Sequence, residues 1–182
     1  EREGRSVYEN REAIVAAAKI KRGDDVADIG AGTGLFTPLL AQATGPRGKV
    51  YAVDIVPKFL EHIRDRARAG GAVNVKPVLG TERDVQLPDE SIDLAFICDV
   101  YHHFEYPQSS LASIRRALRA NGEIFLVEFK RIPGVSPEWT LNHVRAGQEE
   151  FTREIEEAGF KKVEEIPLME DNYVLRFRKA RR

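Results

Sequence analysis

The sequence predicts an α/β fold: a doubly wound, seven-stranded sheet that is mostly parallel, with an antiparallel last strand. Two observations lead to this prediction. Short β-branched runs alternate with longer helical patterns through most of the 182 residues, and such alternation indicates parallel strands joined by right-handed crossovers. The last two strand-like runs are separated by only a few residues, and so short a connection requires antiparallel pairing.

The first half of the chain opens with a helix and then alternates strands with helices. Residues 8–19 are rich in helix-forming side chains and have apolar residues at helical spacing, which predicts a helix with one buried face. Three β-branched runs follow, separated by two helical patterns. The strands are predicted at 25–29, 49–55 and 74–79, and the helices at 36–43 and 57–69.

The second half continues the alternation and then changes its spacing. The strands are predicted at 91–98, 122–129, 160–168 and 172–179, and the helices at 108–119 and 148–158. Gly159 closes the last helix. Because only residues 169–171 separate the last two strand patterns, these strands are expected to form a hairpin.

Composition and element order predict a single domain that spans residues 1–182. With 42% hydrophobic residues, the chain can bury a core of its own. Residues 130–147 contain prolines and a glycine that interrupt regular structure, and this stretch is predicted to form a lid over the top of the sheet. The predicted parts are an N-terminal helical region (1–22), a core of alternating strands and helices (23–129), the lid (130–147) and a C-terminal helix with a hairpin (148–182).

Charge and cysteine content exclude several kinds of partner and site. The 28 basic and 29 acidic residues nearly cancel, so no bulk positive field is available to bind nucleic acid or an anionic membrane surface. Cys98 is the sole cysteine, which excludes disulfides within the chain and zinc sites built from several thiolates. No apolar run approaches the roughly 20 residues of a membrane span.

Location and assembly are weakly constrained. The default location is the cytoplasm. Because the chain starts at Glu1 without a methionine, a targeting segment that has been removed is the alternative. The sequence makes no prediction of the oligomeric state.

The stretch DIGAGTGLF, residues 28–36, follows the first predicted strand. Gly30 and Gly32 can adopt backbone angles closed to other residues and leave the main chain open to a ligand, while Gly34 lets the following helix approach closely. The spacing G-x-G-x-G differs from the G-x-G-x-x-G fingerprint of dinucleotide binding, because Leu35 occupies the third position. The loop therefore favours a nucleoside that carries an amino acid instead of phosphates.

Two acidic residues complete this predicted nucleoside site. Asp28 lies beside the loop, and Asp54 lies at the end of the second predicted strand. Ligands of doubly wound sheets bind outside the carboxyl ends of the strands, where Asp54 can accept hydrogen bonds from both hydroxyls of a ribose. A lone glycine cluster is usually a turn and a lone strand-end aspartate usually a helix cap. The combination of loop and acid after neighbouring strands favours nucleoside binding.

At these residues the chain resembles the class I S-adenosylmethionine-dependent methyltransferases, whose first motif is similar to VADIGAGTG (26–34). The resemblance covers nearly the whole chain and implies a Rossmann-like fold, S-adenosyl-L-methionine as cofactor and S-adenosyl-L-homocysteine as product. By this resemblance the glycines line the methionine part, Asp28 faces the ammonium group, Asp54 binds the ribose and Ile55 packs on the adenine. The cofactor residues it implies are Asp28, Gly30, Ala31, Gly32, Thr33, Gly34, Asp54, Ile55 and Asp99.

Four further residues are candidates for cofactor contacts. Many family members have Gly-Asp against the adenine after the third strand, whereas this chain has Gly80 followed by Thr81 and Glu82, so these two become candidates for the adenine edge. Tyr8 and Arg11 lie one helical turn apart near the N-terminus, on a face predicted to close over the cofactor carboxylate.

Two other stretches are similar to family motifs. Residues 87–94 (LPDESIDL) resemble the entry to the fourth strand, and residues 118–123 (LRANGE) resemble the turn before the fifth. In that turn Ala120 and Asn121 stand at the usual proline and glycine. Because asparagine tolerates positive φ, we expect the turn to persist.

The fourth predicted strand ends in CDVYHHF (98–104), the densest collection of titratable and aromatic side chains in the chain. In the family's fold the methyl acceptor approaches from this side. Methyl transfer is a direct displacement that depends on alignment, and a base is needed only if the acceptor must lose a proton.

The candidate catalytic residues are Asp99, Tyr101, His102 and His103. Either histidine could act as the base, with Asp99 fixing its geometry, and Tyr101 could stack on or hydrogen-bond the acceptor. Adjacent histidines are expected to point in different directions, so only one should face the pocket.

The predicted lid adds His143 as a fifth candidate. Together with Lys130, Arg131 and Arg145 it would suit an anionic small-molecule acceptor. No metal is predicted, because no H-x-H or H-x-x-x-H spacing occurs. A metal site built from Asp99 and Glu128 is a poorer alternative.

Several functions compete for this fold. The N-P-P-[YF] and Pro-Cys motifs of nucleic-acid methyltransferases are absent, and one cysteine argues against arsenite methyltransferases. A methyltransferase acting on a small molecule is the preferred hypothesis. The rivals are a non-catalytic module that binds S-adenosylmethionine or S-adenosylhomocysteine and, less favoured by the glycine spacing, a nucleotide-dependent oxidoreductase.

Overall fold

The strands of the computed structural model, which describes residues 5–180, form one seven-stranded sheet. They are β1 (Val26–Ile29), β2 (Val50–Asp54), β3 (Val75–Leu79), β4 (Ile92–Cys98), β5 (Leu118–Phe129), β6 (Phe160–Ile166) and β7 (Asn172–Lys179). Their order is β3-β2-β1-β4-β5-β7-β6. In this order, the adjacent strands β3, β2, β1, β4 and β5 pair in parallel, whereas β7 pairs antiparallel with both β5 and β6. The predicted sheet and its antiparallel last strand are confirmed.

Helices cover both faces of the sheet. They are α1 (Arg5–Glu9), α2 (Arg11–Ala17), α3 (Thr37–Thr44), α4 (Pro57–Ala69), α5 (Pro107–Ala117), α6 (Glu138–His143) and α7 (Gln148–Glu157). A single 3-10 turn, Tyr101–His103, follows β4. None of the helices within residues 5–180 has the length and apolar character to cross a bilayer.

The central strands are buried on both sides, so the sheet separates two cores. On β4, Ala95 and Ile97 pack in the core under α5 and α7, whereas Leu94 and Phe96 pack in the core under α2 and α3. Alternate residues of a strand point to opposite faces. This accounts for the near-continuous apolar runs of the central strands.

The structure departs from the predicted elements at two helix starts. The opening helix predicted at 8–19 is divided into α1 and α2 around Asn10, whose side-chain amide donates to the Ser6 carbonyl at 2.8 Å. The helix after the glycine loop begins at Thr37, with Pro38 in its first turn, rather than at residue 35 or 36. Proline is favoured there because the first N–H groups of a helix have no partner within it.

The turn expected at residues 118–123 is wrong. This stretch belongs to β5, and Asn121 does not adopt a positive φ. The guanidinium of Arg119 donates to the carboxylates of Asp25 at 2.8 Å and Asp93 at 2.5 Å. Leu118 pairs with Ile92 and Glu123 with Leu94, so residues 119–122 form an irregularity in the pairing of β4 with β5.

Candidate functional site

The glycine loop lies over the carboxyl ends of β1, β2 and β4, which meet at one edge of the sheet. Gly30, Gly32 and Gly34 have φ of 69°, 52° and 79°, values that L side chains rarely adopt. The N–H groups of Gly30 and Ala31 both donate to the Val53 carbonyl. The loop is thereby held against the end of β2.

The three glycines have different surroundings. A Cβ at Gly30 would lie 2.4 Å from Cγ2 of Val100, and one at Gly34 would lie 2.9 Å from Cγ1 of Ile63 on α4. Gly34 therefore permits the approach of α4 as well as of the following helix. A Cβ at Gly32 would have no atom closer than the Gly30 carbonyl oxygen at 4.0 Å. The open main chain predicted for ligand contact is thus found at Gly32.

Asp54 is held in place by the main chain around it. One carboxylate oxygen accepts the Gly32 N–H at 2.8 Å, and the other accepts the Val56 N–H at 2.9 Å. A carboxylate has about four acceptor sites, so both oxygens retain capacity for further donors. The group is pre-oriented at the tip of β2 and fits the two hydroxyls of a ribose.

Asp28 is buried beneath the loop. Its carboxylate accepts the Thr37 hydroxyl at 2.7 Å. Burial, together with the nearby charge of Asp54, raises the pKa of Asp28 to about 6, although the hydrogen bond from Thr37 opposes the shift. A cationic group placed beside Asp28 would reverse this shift, so the residue fits an ammonium group.

A cleft at the ends of β1, β2 and β4 contains several of the predicted cofactor residues. Those that line it are Gly30, Asp54, Ile55, Thr81 and Glu82. Val85, Val100 and Phe104 add apolar walls, and His103 reaches the cleft from the acceptor side. The residues present therefore fit an adenosine moiety, with Ile55 and Glu82 beside the predicted adenine position.

The other predicted cofactor residues are not part of the lining of this cleft: Asp28, Ala31, Gly32, Thr33, Gly34, Asp99, Tyr8 and Arg11. Ala31 is buried beneath the loop, and Thr33 is exposed with its carbonyl accepting from Arg66 at 3.2 Å. Tyr8 and Arg11 contact each other, with the guanidinium 4.5 Å from the ring centroid. Cofactor contacts from these side chains stay predictions.

Asp99 ends β4 in an unusual backbone conformation. Its φ is 52°, which is rare and costly for a residue other than glycine and concentrates at functional sites. Its carboxylate accepts the Asn172 side-chain amide at 2.9 Å. Burial and the charge of Glu128 raise the pKa of Asp99 well above its ordinary value.

Tyr101 lies in the core rather than in a pocket. Its side chain is fully buried, with the ring centroid 5.0 Å from those of Phe104 and Phe151. The hydroxyl donates to the Glu154 carboxylate at 2.9 Å, and burial raises the pKa of the hydroxyl. The predicted contact of Tyr101 with an acceptor is therefore not supported.

His102, His103 and His143 come together in one cluster, which we call the histidine cluster. The ring centroids of His102 and His103 are 4.1 Å apart, and that of His143 lies 5.0 Å and 4.9 Å from them. Both rings lie beside His143 on α6, but only His103 lines the cleft, whereas His102 is buried. Burial and the neighbouring histidines lower the pKa of His103.

Glu128 orients the buried member of the cluster. Its carboxylate lies 2.9 Å from Nδ1 of His102 and also accepts the backbone N–H groups of His102 and Phe129, at 3.1 Å and 2.8 Å. An ionised carboxylate only accepts hydrogen bonds, so its contact with His102 is made by a tautomer that carries a proton on Nδ1.

A second pocket adjoins the histidine cluster, and we call it the acceptor pocket. It is lined by α1, the 130–147 segment and the turn between β6 and β7. Phe129 and Trp139 form part of its wall and also contact His102 and His143, respectively. The histidine cluster therefore lies between this pocket and the cleft that contains Asp54.

Carboxylates predominate among the charged groups of the acceptor pocket. Among the residues that the structure describes, Glu170 and Asp171 line it together with the ammonium group of Lys130. The Lys130 ammonium donates to the Met169 carbonyl at 3.1 Å. This lining does not favour an anionic ligand.

The other basic residues predicted at the lid are engaged elsewhere. Arg131 donates to the Leu141 carbonyl at 3.0 Å. Both terminal nitrogens of Arg145 donate to the Glu154 carboxylate, at 2.6 Å and 2.7 Å. These guanidinium groups stabilise the 130–147 segment and its packing on α7.

The sequence interpretation missed Asn172, the first residue of β7. It is 2% exposed, lines the acceptor pocket and donates to Asp99. Its Oδ1 has no hydrogen-bond partner among the residues that the structure describes. No sequence signal marked it, because an asparagine at a hairpin strand is ordinary.

Comparison with protein families identifies the central part of the chain. A family model described as "Methyltransferase domain" matches residues 27–126, more than half of the chain. The match contains the glycine loop, Asp54 and the histidines that follow β4.

Among curated proteins, the chain is similar to "Ubiquinone/menaquinone biosynthesis C-methyltransferase UbiE" of Burkholderia mallei. The two are 31% identical over 118 residues, which is 65% of this chain and 48% of that protein. The protein of the same name from Burkholderia thailandensis matches to the same extent. The chain thus spans about half the length of the curated relatives it matches.

Solved structures share the fold. A SAM-dependent methyltransferase from Aquifex aeolicus superposes with a TM-score of 0.87 at 21% identity, covering 97% of this chain and 94% of that chain. The [4+2]-cyclase SpnF superposes with a TM-score of 0.81 at 15% identity, covering 94% of this chain and 80% of that chain.

Proposed function

The chain belongs to the methyltransferase domain family of class I S-adenosylmethionine-dependent enzymes, and on this premise we propose that it methylates a small, largely apolar acceptor. One observation supports the proposal above all. His103 lines the cleft that contains Asp54, while its neighbours in the histidine cluster contact Phe129 and Trp139 of the acceptor pocket. A cofactor and an acceptor bound in the two pockets would meet at this boundary.

The chain's own residues would bind and orient the cofactor. S-adenosylmethionine, when bound, supplies a methyl group on a positively charged sulfur that is open to direct displacement. Asp54 accepts the ribose hydroxyls, Asp28 pairs with the ammonium group and Gly32 admits the methionine part to the main chain. Thr81 and Glu82 border the adenine. Binding both reactants in a fixed relative position supplies much of the rate acceleration.

The acceptor pocket supports an uncharged, aromatic or otherwise apolar acceptor. Phe129, Ile132, Val135 and Trp139 provide apolar walls, and Thr140 and Asn172 provide polar groups. Aromatic and aliphatic walls are typical of small-molecule sites, and the same lining also carries the charged groups of Lys130, Glu170 and Asp171. The anionic acceptor predicted from the sequence finds little support in this lining. The related C-methyltransferase of quinone biosynthesis is consistent with an aromatic acceptor.

The test is tritium transfer from methyl-labelled S-adenosylmethionine to a panel of uncharged phenols, hydroquinones and aromatic amines, with benzoates as the anionic comparison. We expect product with at least one uncharged aromatic compound. Trp139→Ala should raise the acceptor KM about tenfold or more through lost apolar contact, while S-adenosylhomocysteine affinity, measured by calorimetry, stays unchanged.

The same experiment distinguishes the rival functions. Calorimetric binding without transfer to any compound would favour a non-catalytic module or other chemistry on this fold, of which the [4+2]-cyclase SpnF is an example among the structural neighbours. Binding of NAD(H) in place of S-adenosylhomocysteine would support an oxidoreductase. Transfer confined to benzoates would contradict the proposed acceptor class.

A further inference from the structure

Three of the chain's four histidines lie in the histidine cluster. His102 and His103 come from the 3-10 turn after β4, whereas His143 is the last residue of α6. Within residues 5–180 they form the one group of three or more His, Cys, Asp or Glu side chains whose potential ligand atoms all lie within 4.8 Å of one another. Neutral imidazole nitrogens are common ligands of zinc and other divalent transition metals.

The distances suit a metal ion after a small adjustment. A tetrahedral ion with Zn–N bonds of about 2.0–2.1 Å has ligand nitrogens about 3.4 Å apart. The buried His102 is fixed, but His103 and His143 are exposed, so rotation of these two rings can close the remaining distance. The stacking of Trp139 on His143, with centroids 5.0 Å apart, limits the directions in which that ring can turn.

Glu128 provides the outer contact that metal-bound histidines usually have. Its carboxylate, itself fully buried, accepts from Nδ1 of His102 at 2.9 Å. This contact fixes the ring and leaves Nε2 for an ion, as in carboxylate–histidine–zinc arrangements. The negative charge of Glu128 also offsets part of the charge of a bound cation.

We propose that His102, His103 and His143 bind a divalent transition-metal ion of the Zn²⁺ class, with an open coordination position beside the acceptor pocket. Sites with three histidine ligands and one open position can hold water or a ligand oxygen. The position next to Phe129 and Trp139 would allow a hydroxyl or carbonyl oxygen in the acceptor pocket to bind the ion. The proposal concerns metal binding alone and does not depend on methyl transfer.

The experiment uses the full chain without a histidine tag, freed of metal by chelation and then titrated with Co²⁺. We expect one ion per chain, with the intense visible absorption of four-coordinate Co²⁺, and displacement by one equivalent of Zn²⁺. His103→Ala and His143→Ala should each weaken Co²⁺ affinity at least tenfold. Both side chains are exposed, so these variants are expected to fold. Glu128→Gln should weaken affinity about 10–100-fold.

The matched control is His62→Ala, because His62 is the remaining histidine and is exposed on α4. It should leave Co²⁺ affinity and the spectrum unchanged. Absence of saturable Co²⁺ and Zn²⁺ binding would overturn the proposal, as would binding that His143→Ala leaves intact or that His62→Ala weakens equally. S-adenosylhomocysteine calorimetry on His143→Ala separates the two proposals, since failure of cofactor binding leaves the metal result standing.

Discussion

The cofactor side and the acceptor side of the cleft are built differently. On the cofactor side, the two carboxylates bond to groups within the segment from β1 to the residues just after β2: Asp54 to Val56 and to Gly32 of the loop, and Asp28 to Thr37. On the acceptor side the contacts join distant segments, as between Asp99 and Asn172 at the start of β7. The former arrangement is determined by the consecutive elements β1, loop, α3 and β2, whereas the latter needs the whole sheet and the 130–147 segment in place.

This difference separates the residues proposed to bind the cofactor from the residues proposed to select the methyl acceptor. The glycine loop and the end of β2 are held together by main-chain hydrogen bonds. Their groups therefore keep the same positions when segments outside this part of the chain change. The acceptor pocket depends on segments outside the central sheet, which can change without disturbing the loop. Four predictions test this comparison, in order from the largest expected effect to the smallest.

Gly30→Ala should lower the free energy of unfolding by about 2–4 kcal/mol, because it combines a positive φ with a Cβ 2.4 Å from Val100. This contact joins the loop to the tip of β4, so the change strains both sides of the cleft. Gly32→Ala is the control: its φ is also positive but its Cβ meets open space, and the cost should be about 1–2 kcal/mol. Urea denaturation measures both, and equal losses would contradict the role of the Val100 contact.

Asp54→Ala should weaken S-adenosylhomocysteine binding by roughly 1.5–3 kcal/mol, because it removes charged hydrogen bonds to the ribose. His143→Ala, on the acceptor side, should leave this affinity unchanged. Isothermal titration calorimetry measures both variants. If the two weakened binding equally, the division of the cleft into two sides would be wrong.

Cofactor affinity should fall below pH 6, by up to about tenfold per pH unit, because the pKa of Asp28 is raised to about 6 and only the ionised carboxylate pairs with an ammonium group. The free energy of unfolding changes with pH in the opposite direction. Because the raised pKa means that the folded state favours protonated Asp28, burial of the ionised carboxylate lowers stability above pH 6, and this cost is absent at low pH. Calorimetry from pH 5 to pH 7.5 checks the affinity.

Asp28→Asn provides the matched variant for this pH dependence. It should bind S-adenosylmethionine more weakly at pH 7.5 and lose most of the change in affinity between pH 5 and pH 7.5. At pH 7.5 its free energy of unfolding should be no lower than that of the unmodified chain, because the buried charge is gone. A variant that kept the full pH dependence would assign it to another group.

Tyr101→Phe should have the smallest effect, a loss of about 0.5–1.5 kcal/mol in the free energy of unfolding. It removes one hydrogen bond to Glu154, which keeps its two from Arg145. Because the side chain is fully buried, rates of methyl transfer should stay within about twofold. A large fall in the rate of methyl transfer at unchanged stability would support a contact of Tyr101 with the acceptor.

The fold and the cofactor side were predictable because their signals are local. The alternation of strand and helix patterns predicted the parallel sheet, and the three-residue gap before β7 predicted the antiparallel hairpin. The positions of Gly30 and Asp54 after neighbouring strands predicted that they would meet. The irregular start of β5 is an exception, and there Arg119 contacts Asp25 and Asp93, which are distant in the sequence.

What the sequence by itself determined is therefore the α/β fold and the meeting of Gly30 with Asp54 at one cleft, since strand order specifies both. Only the tertiary structure decided which side chains form the acceptor side. It buried Tyr101 against Phe151, and it brought His143 onto His102 and His103 although no short spacing links them. The physical reason is that these contacts depend on how α6 and α7 pack on the sheet, and packing between distant segments leaves no periodic pattern in the sequence.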